Sequence, residues 1–241
     1  MDKKLHGNNV IWRYTTLDKF LYLLNNEKLY FSNVGEMTDK YEGKLPHNNR
    51  KSYLSKLIRD GLSEDEAEIE LMREENEYNK FMQLTFVNCW TVNPSESYAL
   101  WKIYLEGSKS GIAIKTTVSR LKKSLSESNY DIVIKKVKYL DYISDYKFDR
   151  TQLFTTKRTY YSYEEELRLL SLHYHMGQGK VEPALNNKYG YGIDVNLNEL
   201  IQNIFVSPFV GTWIYDTIRK TIALKNPNLV DKMISSDIRD F

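Results

Sequence analysis

Two closely spaced carboxylates and two cations form the segment of the chain with the clearest chemical potential. Lys157 is followed by Glu164, Glu166 and Arg168. On a β-strand, Glu164, Glu166 and Arg168 would share one face. Glu166 could then pair with Arg168, while a neighbouring cation holds Glu164. Paired carboxylates beside aromatic residues suit a site for a cationic or hydroxyl-bearing ligand. The alternative, of equal weight, is the solvated start of a helix, where the helix dipole stabilises the acidic side chains.

A second candidate site lies near the start of the chain, where Arg13 stands between Trp12 and Tyr14. A guanidinium flanked by two aromatic rings on a first strand could bind a phosphate or stack on a base. The alternative is an ordinary surface arginine on an amphipathic strand.

Metal and nucleophile chemistry have weaker candidates. His173 and His175 are two residues apart and could share a metal on one strand face, but no neighbouring Cys or acid completes a ligand set. We therefore expect no metal. Cys89 is the single cysteine, which excludes an intrachain disulfide and a zinc site built on two thiolates. Its apolar surroundings predict a buried, inert thiol. The glycine-rich phosphate loops and the Gly-x-Ser-x-Gly elbow are missing from the sequence.

Alternating strand and helix patterns predict the elements that position these groups. We expect strands at 10–14, 29–32, 84–90, 111–115, 132–139 and 189–195, and helices at 17–24, 98–104, 118–125, 212–224 and 228–234. A helix followed by a strand is expected over 197–205, and 163–172 reads as a strand or as a helix turning into one. Residues from about 51 to 83 form a largely helical insertion, broken before a capping box at Ser63. The irregular alternation predicts one α+β domain over 1–241, with a central, mostly antiparallel mixed sheet flanked by helices.

Composition narrows the function classes. The chain has 241 residues, of which 41% are hydrophobic, and its 34 Lys+Arg nearly balance 32 Asp+Glu. Nine acids and two bases fall within 59–77, whereas twelve bases and five acids fall within 107–158. A solvated acidic helix and a lysine-rich surface explain this segregation, and a basic face for a polyanion is the alternative. No apolar run is long enough to span a membrane and no signal-peptide core is present, so we expect a cytoplasmic protein without membrane contact.

The order of the motifs resembles that of the bacterial family called "domain of unknown function twenty-nine seventy-one". The matching residues are Trp12-Arg13-Tyr14; Leu29-Tyr30-Phe31-Ser32; Thr38-Asp39-Lys40-Tyr41-Glu42; Glu96-Ser97 with Leu100, Trp101 and Tyr104; Ser110-Gly111-Ile112-Ala113-Ile114; Lys157 with Tyr161, Glu164, Glu166 and Arg168; and Ile201 with Ile204, Val206, Ser207 and Pro208. The resemblance covers residues from about 10 to 225. The chain departs from the family at Lys40, where the loop usually has Pro, and at Tyr161, where it usually has Trp.

More distantly, the order of an Arg on the first strand, a strand ending in Ser and a late Glu-x-Glu is similar to the ADP-ribosyltransferase superfamily. This resemblance implies an ADP-ribosyltransferase-like fold and an enzyme that consumes NAD, as a transferase or as a glycohydrolase. It also implies a toxin or an antiphage defence effector with a nucleic-acid or protein acceptor. Glu166 would orient the ribose hydroxyl and stabilise the oxocarbenium-like transition state, and Glu164 would position the acceptor.

The same resemblance assigns NAD binding to the first half of the chain. Arg13, with Tyr14 beside it, would hold the pyrophosphate or a ribose. Ser32 would shape the nicotinamide pocket, and the ring of Tyr30 or Tyr41 would stack on nicotinamide.

Two other functions remain open from the sequence. The first is a non-enzymatic module that binds nucleic acid or protein through the basic, tyrosine-rich region 109–158, which contains Tyr130, Tyr139, Tyr142 and Tyr146. Its affinity would fall steeply with salt. The second is a metal-dependent nuclease using Asp39, Glu42, Glu164 and Glu166, for which the sequence offers no standard metal spacing.

Overall fold

One mixed, mostly antiparallel β-sheet organises the chain, with helices on both of its faces, and this confirms the predicted α+β class. The computed structural model describes residues 5–37, 47–140, 152, 154–172 and 189–238. The strands are β1 Val10–Thr16, β2 Lys28–Asn33, β3 Thr85–Val92, β4 Gly111–Thr117, β5 Ile132–Lys136, β6 Lys138–Leu140, β7 Thr156–Arg158, β8 Glu166–Leu172, β9 Gly190–Asp194, β10 Asn203–Val206 and β11 Met233–Ile234. The α-helices are α1 Leu17–Asn26, α2 His47–Arg59, α3 Glu64–Gln83, α4 Tyr98–Tyr104, α5 Val118–Ser124, α6 Leu197–Leu200 and α7 Thr212–Lys225. Three 3₁₀-helices cover Val34–Glu36, Thr159–Glu164 and Pro227–Lys232.

Strand β3 lies at the centre of the sheet. One of its edges pairs with β8 along 85–91, and β5 continues the sheet beyond β8. The other edge is shared, because β1 pairs with one end of β3 and β2 pairs with the other end. Strands β4, β10 and β11 follow outward from β1, and β9 lies beside β2. Strands β6 and β7 form a separate parallel pair.

The main hydrophobic core covers one face of this sheet. Strand β4 contributes Ile112 and Ile114, which are two residues apart and therefore point to the same face. Helix α1 packs Phe20 and Leu24 against them, and α5, α6 and α7 complete the layer. Burial of each such side chain contributes about 1.5–3 kcal/mol, so this layer supplies most of the apolar stabilisation.

The opposite face carries two smaller apolar clusters. The α4 cluster joins Trp12 to Trp101 and their neighbours. The α3 cluster joins Phe81 and Phe154 to Val87 and Leu170. Cys89 packs against the α3 cluster beside Val87, and Thr91, two residues further along β3, pairs with Trp12 of the α4 cluster, so Cys89 lies between the two clusters.

Several local predictions are confirmed. Helices α2 and α3 fill the predicted helical segment, and Ser63 begins α3 with a complete capping box whose partner is Glu66. Others need correction. The strand predicted over 132–139 is two strands, because the amide of Val137 donates to the carbonyl of Glu166 at the break. Thr16 occupies the N-cap position of α1 but makes no side-chain capping bond to the backbone. The helix predicted at 228–234 is a 3₁₀-helix followed by β11.

Within the part of the chain that the structure describes, no helix has both the length and the apolar character needed to cross a membrane.

Candidate functional site

The sheet forks at β3, and a cavity opens in the fork. Strand β1 meets β3 through Ile11 and Trp12, whereas β2 meets it through Ser32 and Asn33. Between these two pairings, β1 and β2 diverge from the edge of β3 at 88–90. The resulting cavity has a volume of about 260 Å³. It is lined by Trp12, Arg13, Tyr14, Thr15, Thr16, Lys19, Tyr30, Ser32, Glu36, Met37, Val87, Asn88, Cys89, Trp90, Thr91, Tyr104 and Glu106.

Two side chains span the fork in place of the missing strand-to-strand hydrogen bonds. The Arg13 guanidinium donates through Nη1 to the carbonyl oxygen of Cys89 at 2.7 Å. The Asn88 side-chain amide donates to the carbonyl oxygen of Tyr30 at 2.8 Å. Both backbone carbonyls are thereby satisfied, and the fork stays open without leaving these acceptors unpaired.

Arg13 is the half-buried cation of the cavity, whereas Lys19, which also lines it, is exposed. Burial lowers its pKa below the ordinary value, and the nearby Cys89 and Tyr104 oppose the shift. An arginine nevertheless stays protonated in a protein. Among the described residues, no carboxylate lies within ion-pair distance of Arg13, and its only hydrogen bond goes to the Cys89 carbonyl. A half-buried guanidinium without a counter-charge favours an anionic ligand, since an ionised partner strengthens its hydrogen bonds.

Aromatic rings form the walls of the cavity. Tyr14 is almost fully buried, accepts a hydrogen bond from the Ser97 amide at 2.8 Å and packs edge-on against Trp101. It therefore supports the wall. Tyr30 and Ser32 also line the cavity. Burial raises the pKa of Tyr30, with smaller contributions from Tyr22 and Glu36, so its phenol stays neutral.

Behind the cavity lies a buried cluster of four charges. Both oxygens of Glu166 accept from Arg168, at 2.9 Å each. Lys157 contacts Glu164 at 2.7 Å and Glu166 at 3.5 Å. All four side chains are at most 10% exposed. The predicted pairing, in which Arg168 holds Glu166 and a second cation holds Glu164, is confirmed. The shared strand face is wrong, however, because Glu164 ends a 3₁₀-helix and Glu165 turns the chain with a left-handed φ of 42°.

The cluster keeps Glu166 ionised. Burial alone would raise its pKa, but the charge and hydrogen bonds of Arg168, with help from Lys157 and the Cys89 thiol, lower the pKa to about 2. Glu166 does not itself line the cavity. Its carboxylate contacts the thiol of Cys89, and Cys89 lines the cavity. The negative charge therefore acts on the cavity from one layer behind its wall.

The structure thus brings Arg13, Tyr14, Tyr30 and Ser32 to one cavity. Glu166 lies directly behind it and Glu164 beside Glu166, on Lys157. Tyr41 lies outside the described residues, as do Asp39, Glu42, Tyr142, Tyr146, His173 and His175.

Sequence reasoning missed two kinds of lining residue, the thiol of Cys89 and the acids Glu36 and Glu106. Cys89 is half-buried and faces the cavity, which corrects the prediction of a buried thiol. It stays unreactive because burial, followed by the charge of Glu166, raises its pKa well above the ordinary value. Tyr104 is the last residue of the motif that begins at Glu96-Ser97, which the sequence analysis had identified. The acids Glu36 and Glu106 gave no signal, since both stand alone in polar segments.

The alternative sites find less support in the described residues. Basic side chains of 107–140 lie on several elements and have local partners: Lys115 lies over the Trp12 ring, Lys123 pairs with Glu199, and Lys136 pairs with Glu165. No group of three or more His, Cys, Asp or Glu in the described ranges is arranged to hold a metal ion.

Comparison of the chain with models of known protein families, with curated proteins and with solved structures found no match.

Proposed function

We propose that the cavity binds NAD and that the protein is a cytoplasmic NAD-consuming enzyme, either an ADP-ribosyltransferase or an NAD glycohydrolase. The observation that carries this proposal is Arg13, a half-buried guanidinium in a cavity with no carboxylate partner among the described residues. A diphosphate or ribose oxygen would supply the partner that Arg13 lacks among the described residues.

The size and the walls of the cavity suit one nucleoside half of NAD, which would be the half enclosed by the protein. A volume of about 260 Å³ falls just below the ~300–1,000 Å³ typical of sites for complete small molecules. The rings of Tyr30 and Tyr104 offer surfaces for a flat heterocycle. The nicotinamide riboside portion would enter the fork, and the adenosine portion would lie outside it.

Glu166 supports the reaction through its charge. Cleavage breaks the bond between C1′ of the ribose and the nicotinamide nitrogen, whose bonding electrons leave with nicotinamide. Positive charge then develops on the ribose, and a fixed carboxylate stabilises it most where water is excluded. A hydroxyl of the acceptor, or water, bonds to C1′ and releases its proton to solvent. A pKa of about 2 keeps Glu166 charged throughout the physiological pH range. A role in defence or as a toxin would follow from the loss of cellular NAD.

The test is nicotinamide release. The protein is incubated with NAD, with and without a bacterial lysate as the source of acceptors, and free nicotinamide is followed by proton NMR. Wild type should release nicotinamide, and Glu166→Gln should be slower by about 10²–10³-fold, the cost typical of losing one preorganised electrostatic group.

Glu165→Gln is the matched control, because Glu165 is adjacent, half-exposed and paired with Lys136 at the surface. It should keep the wild-type rate. Circular dichroism would establish that Glu166→Gln is folded. Intact NAD after prolonged incubation with wild type would contradict the proposed function.

A further inference from the structure

Helix α4 holds one tyrosine rigidly at the cavity. Ser97 caps the helix by accepting from the Leu100 amide, and Glu96 accepts from the Trp101 indole at 2.6 Å. Trp101 is fully buried and packs edge-on against Tyr14, with 5.1 Å between the ring centroids. Since this seven-residue helix is anchored at its first turn and at Trp101, in its middle, its last residue, Tyr104, has a fixed position.

The Tyr104 ring stacks on Tyr14, with centroids 6.3 Å apart and an interplanar angle of 16°. Tyr104 lines the cavity together with Arg13 and Cys89. Tyr104 is partly buried, and its hydroxyl makes no hydrogen bond to any of the described residues. A ligand in the cavity would therefore find an unoccupied phenol donor on this wall.

The charges near Tyr104 keep its hydroxyl protonated, so the ligand atom that it contacts would be a hydrogen-bond acceptor. Burial raises the pKa of Tyr104 well above its ordinary value, the carboxylate of Glu166 adds to the shift, and Arg13 opposes it. The hydroxyl therefore remains a protonated donor at every physiological pH. Glu166, whose oxygens are already taken by Arg168 and Lys157, is poorly placed to accept further hydrogen bonds.

We propose that Tyr104 is a substrate-binding residue, which donates a hydrogen bond to a ribose oxygen of the nucleotide held between Arg13 and the wall in front of Glu166. This inference rests on the proposed function and extends it. Arg13 holds the anionic part, Tyr104 holds the sugar, and Glu166 supplies charge through the wall. Tyr104 thus takes on the ribose contact that the sequence resemblance assigned to Glu166.

Isothermal titration calorimetry on wild type, Tyr104→Phe and Tyr98→Phe tests the inference. Tyr98 is the matched control, because it begins the same helix, is exposed and packs against Phe209, away from the cavity. The titrants are NAD, ADP-ribose and free nicotinamide. Tyr104→Phe should bind NAD and ADP-ribose about 5- to 20-fold more weakly, the loss of one hydrogen bond. Its affinity for nicotinamide, which has no ribose, and all affinities of Tyr98→Phe should match wild type.

Thermal unfolding separates ligand contact from a structural role. Because the hydroxyl has no described protein partner and Phe keeps the stacked ring, Tyr104→Phe should unfold within about 2 °C of wild type. An unchanged affinity for NAD and ADP-ribose in Tyr104→Phe would overturn the inference alone. So would a fall in the unfolding temperature of more than about 5 °C, which would show that the protein uses the hydroxyl. Absence of NAD and ADP-ribose binding in wild type would overturn the proposed function, and this inference with it.

Discussion

Arg13 donates a hydrogen bond to the carbonyl oxygen of Cys89 across the gap between β1 and β3, at 2.7 Å. This contact takes the place of a strand-to-strand bond at the point where the sheet forks. The Arg13 guanidinium therefore both spans the gap between the strands and gives the cavity a positive charge.

Replacing Arg13 should therefore affect ligand binding far more than stability. Arg13→Ala loses a charge-assisted hydrogen bond worth about 1.5–3 kcal/mol. It also removes a partly desolvated cation that has no counter-ion among the described residues, and burying such a cation costs stability. Because the two terms oppose each other, we expect the free energy of unfolding in urea to change by less than about 1.5 kcal/mol.

The control is Arg73→Ala, since Arg73 is exposed on α3 and pairs with Glu70 at the surface. If Arg13→Ala lowered the free energy of unfolding by more than about 3 kcal/mol, the most that the hydrogen bond is worth, the main role of Arg13 would be structural.

Glu166 should make the protein acid-sensitive. Its pKa in the folded protein is about 2, compared with an ordinary value of 4.5. A depressed pKa contributes stability above about pH 4.5, and this contribution is lost as the pH falls from 4.5 towards 2. Wild type should therefore lose unfolding free energy over this window more steeply than Glu166→Gln, as measured by urea titrations at each pH. Parallel pH profiles for the two proteins would refute the assignment.

Arg168, the buried partner of Glu166, should contribute strongly to the stability of the folded protein. Arg168→Met leaves Glu166 in the interior with only Lys157 nearby, and removing one partner of a buried ion pair costs about 3–5 kcal/mol. Lys136→Met breaks the more exposed pair with Glu165 and should cost less than about 1 kcal/mol. Equal losses in the two variants would mean that the buried cluster contributes no more than a surface pair.

Gly190 should tolerate no side chain. It has a φ of 151°, and a Cβ there would collide with the carbonyl oxygen of Phe31 and the ring of Tyr30. Gly190→Ala should lower the free energy of unfolding by about 1–3 kcal/mol and move Tyr30, which lines the cavity. Gly7→Ala, whose Cβ would make only ordinary contacts, is the control. A stable Gly190→Ala protein with unchanged ligand affinity would contradict the described packing.

Local sequence signals predicted much of the fold. The capping box at Ser63 and the spacing of apolar residues in α1 depend on neighbours in the chain, so both appear as expected. The pairing of Glu166 with Arg168 was also predictable, because residues two apart on a strand share a face.

Contacts between distant segments were not predictable in the same way. The fork arises because β1 and β2 compete for one edge of β3, and no local pattern shows where that pairing stops. For the same reason, Cys89 looked like an ordinary core residue of an apolar strand. Tyr104 was identified only as the end of a motif, since its place beside Arg13 depends on how α4 packs against β1.

The central claim is that the fork binds NAD through Arg13, and calorimetric titration of NAD into wild type and Arg13→Ala tests it most directly. We predict saturable binding to wild type and an affinity lower by about 10- to 100-fold in Arg13→Ala, the equivalent of one charge-assisted hydrogen bond. Absence of NAD binding to wild type, or equal affinities in the two proteins, would contradict the account.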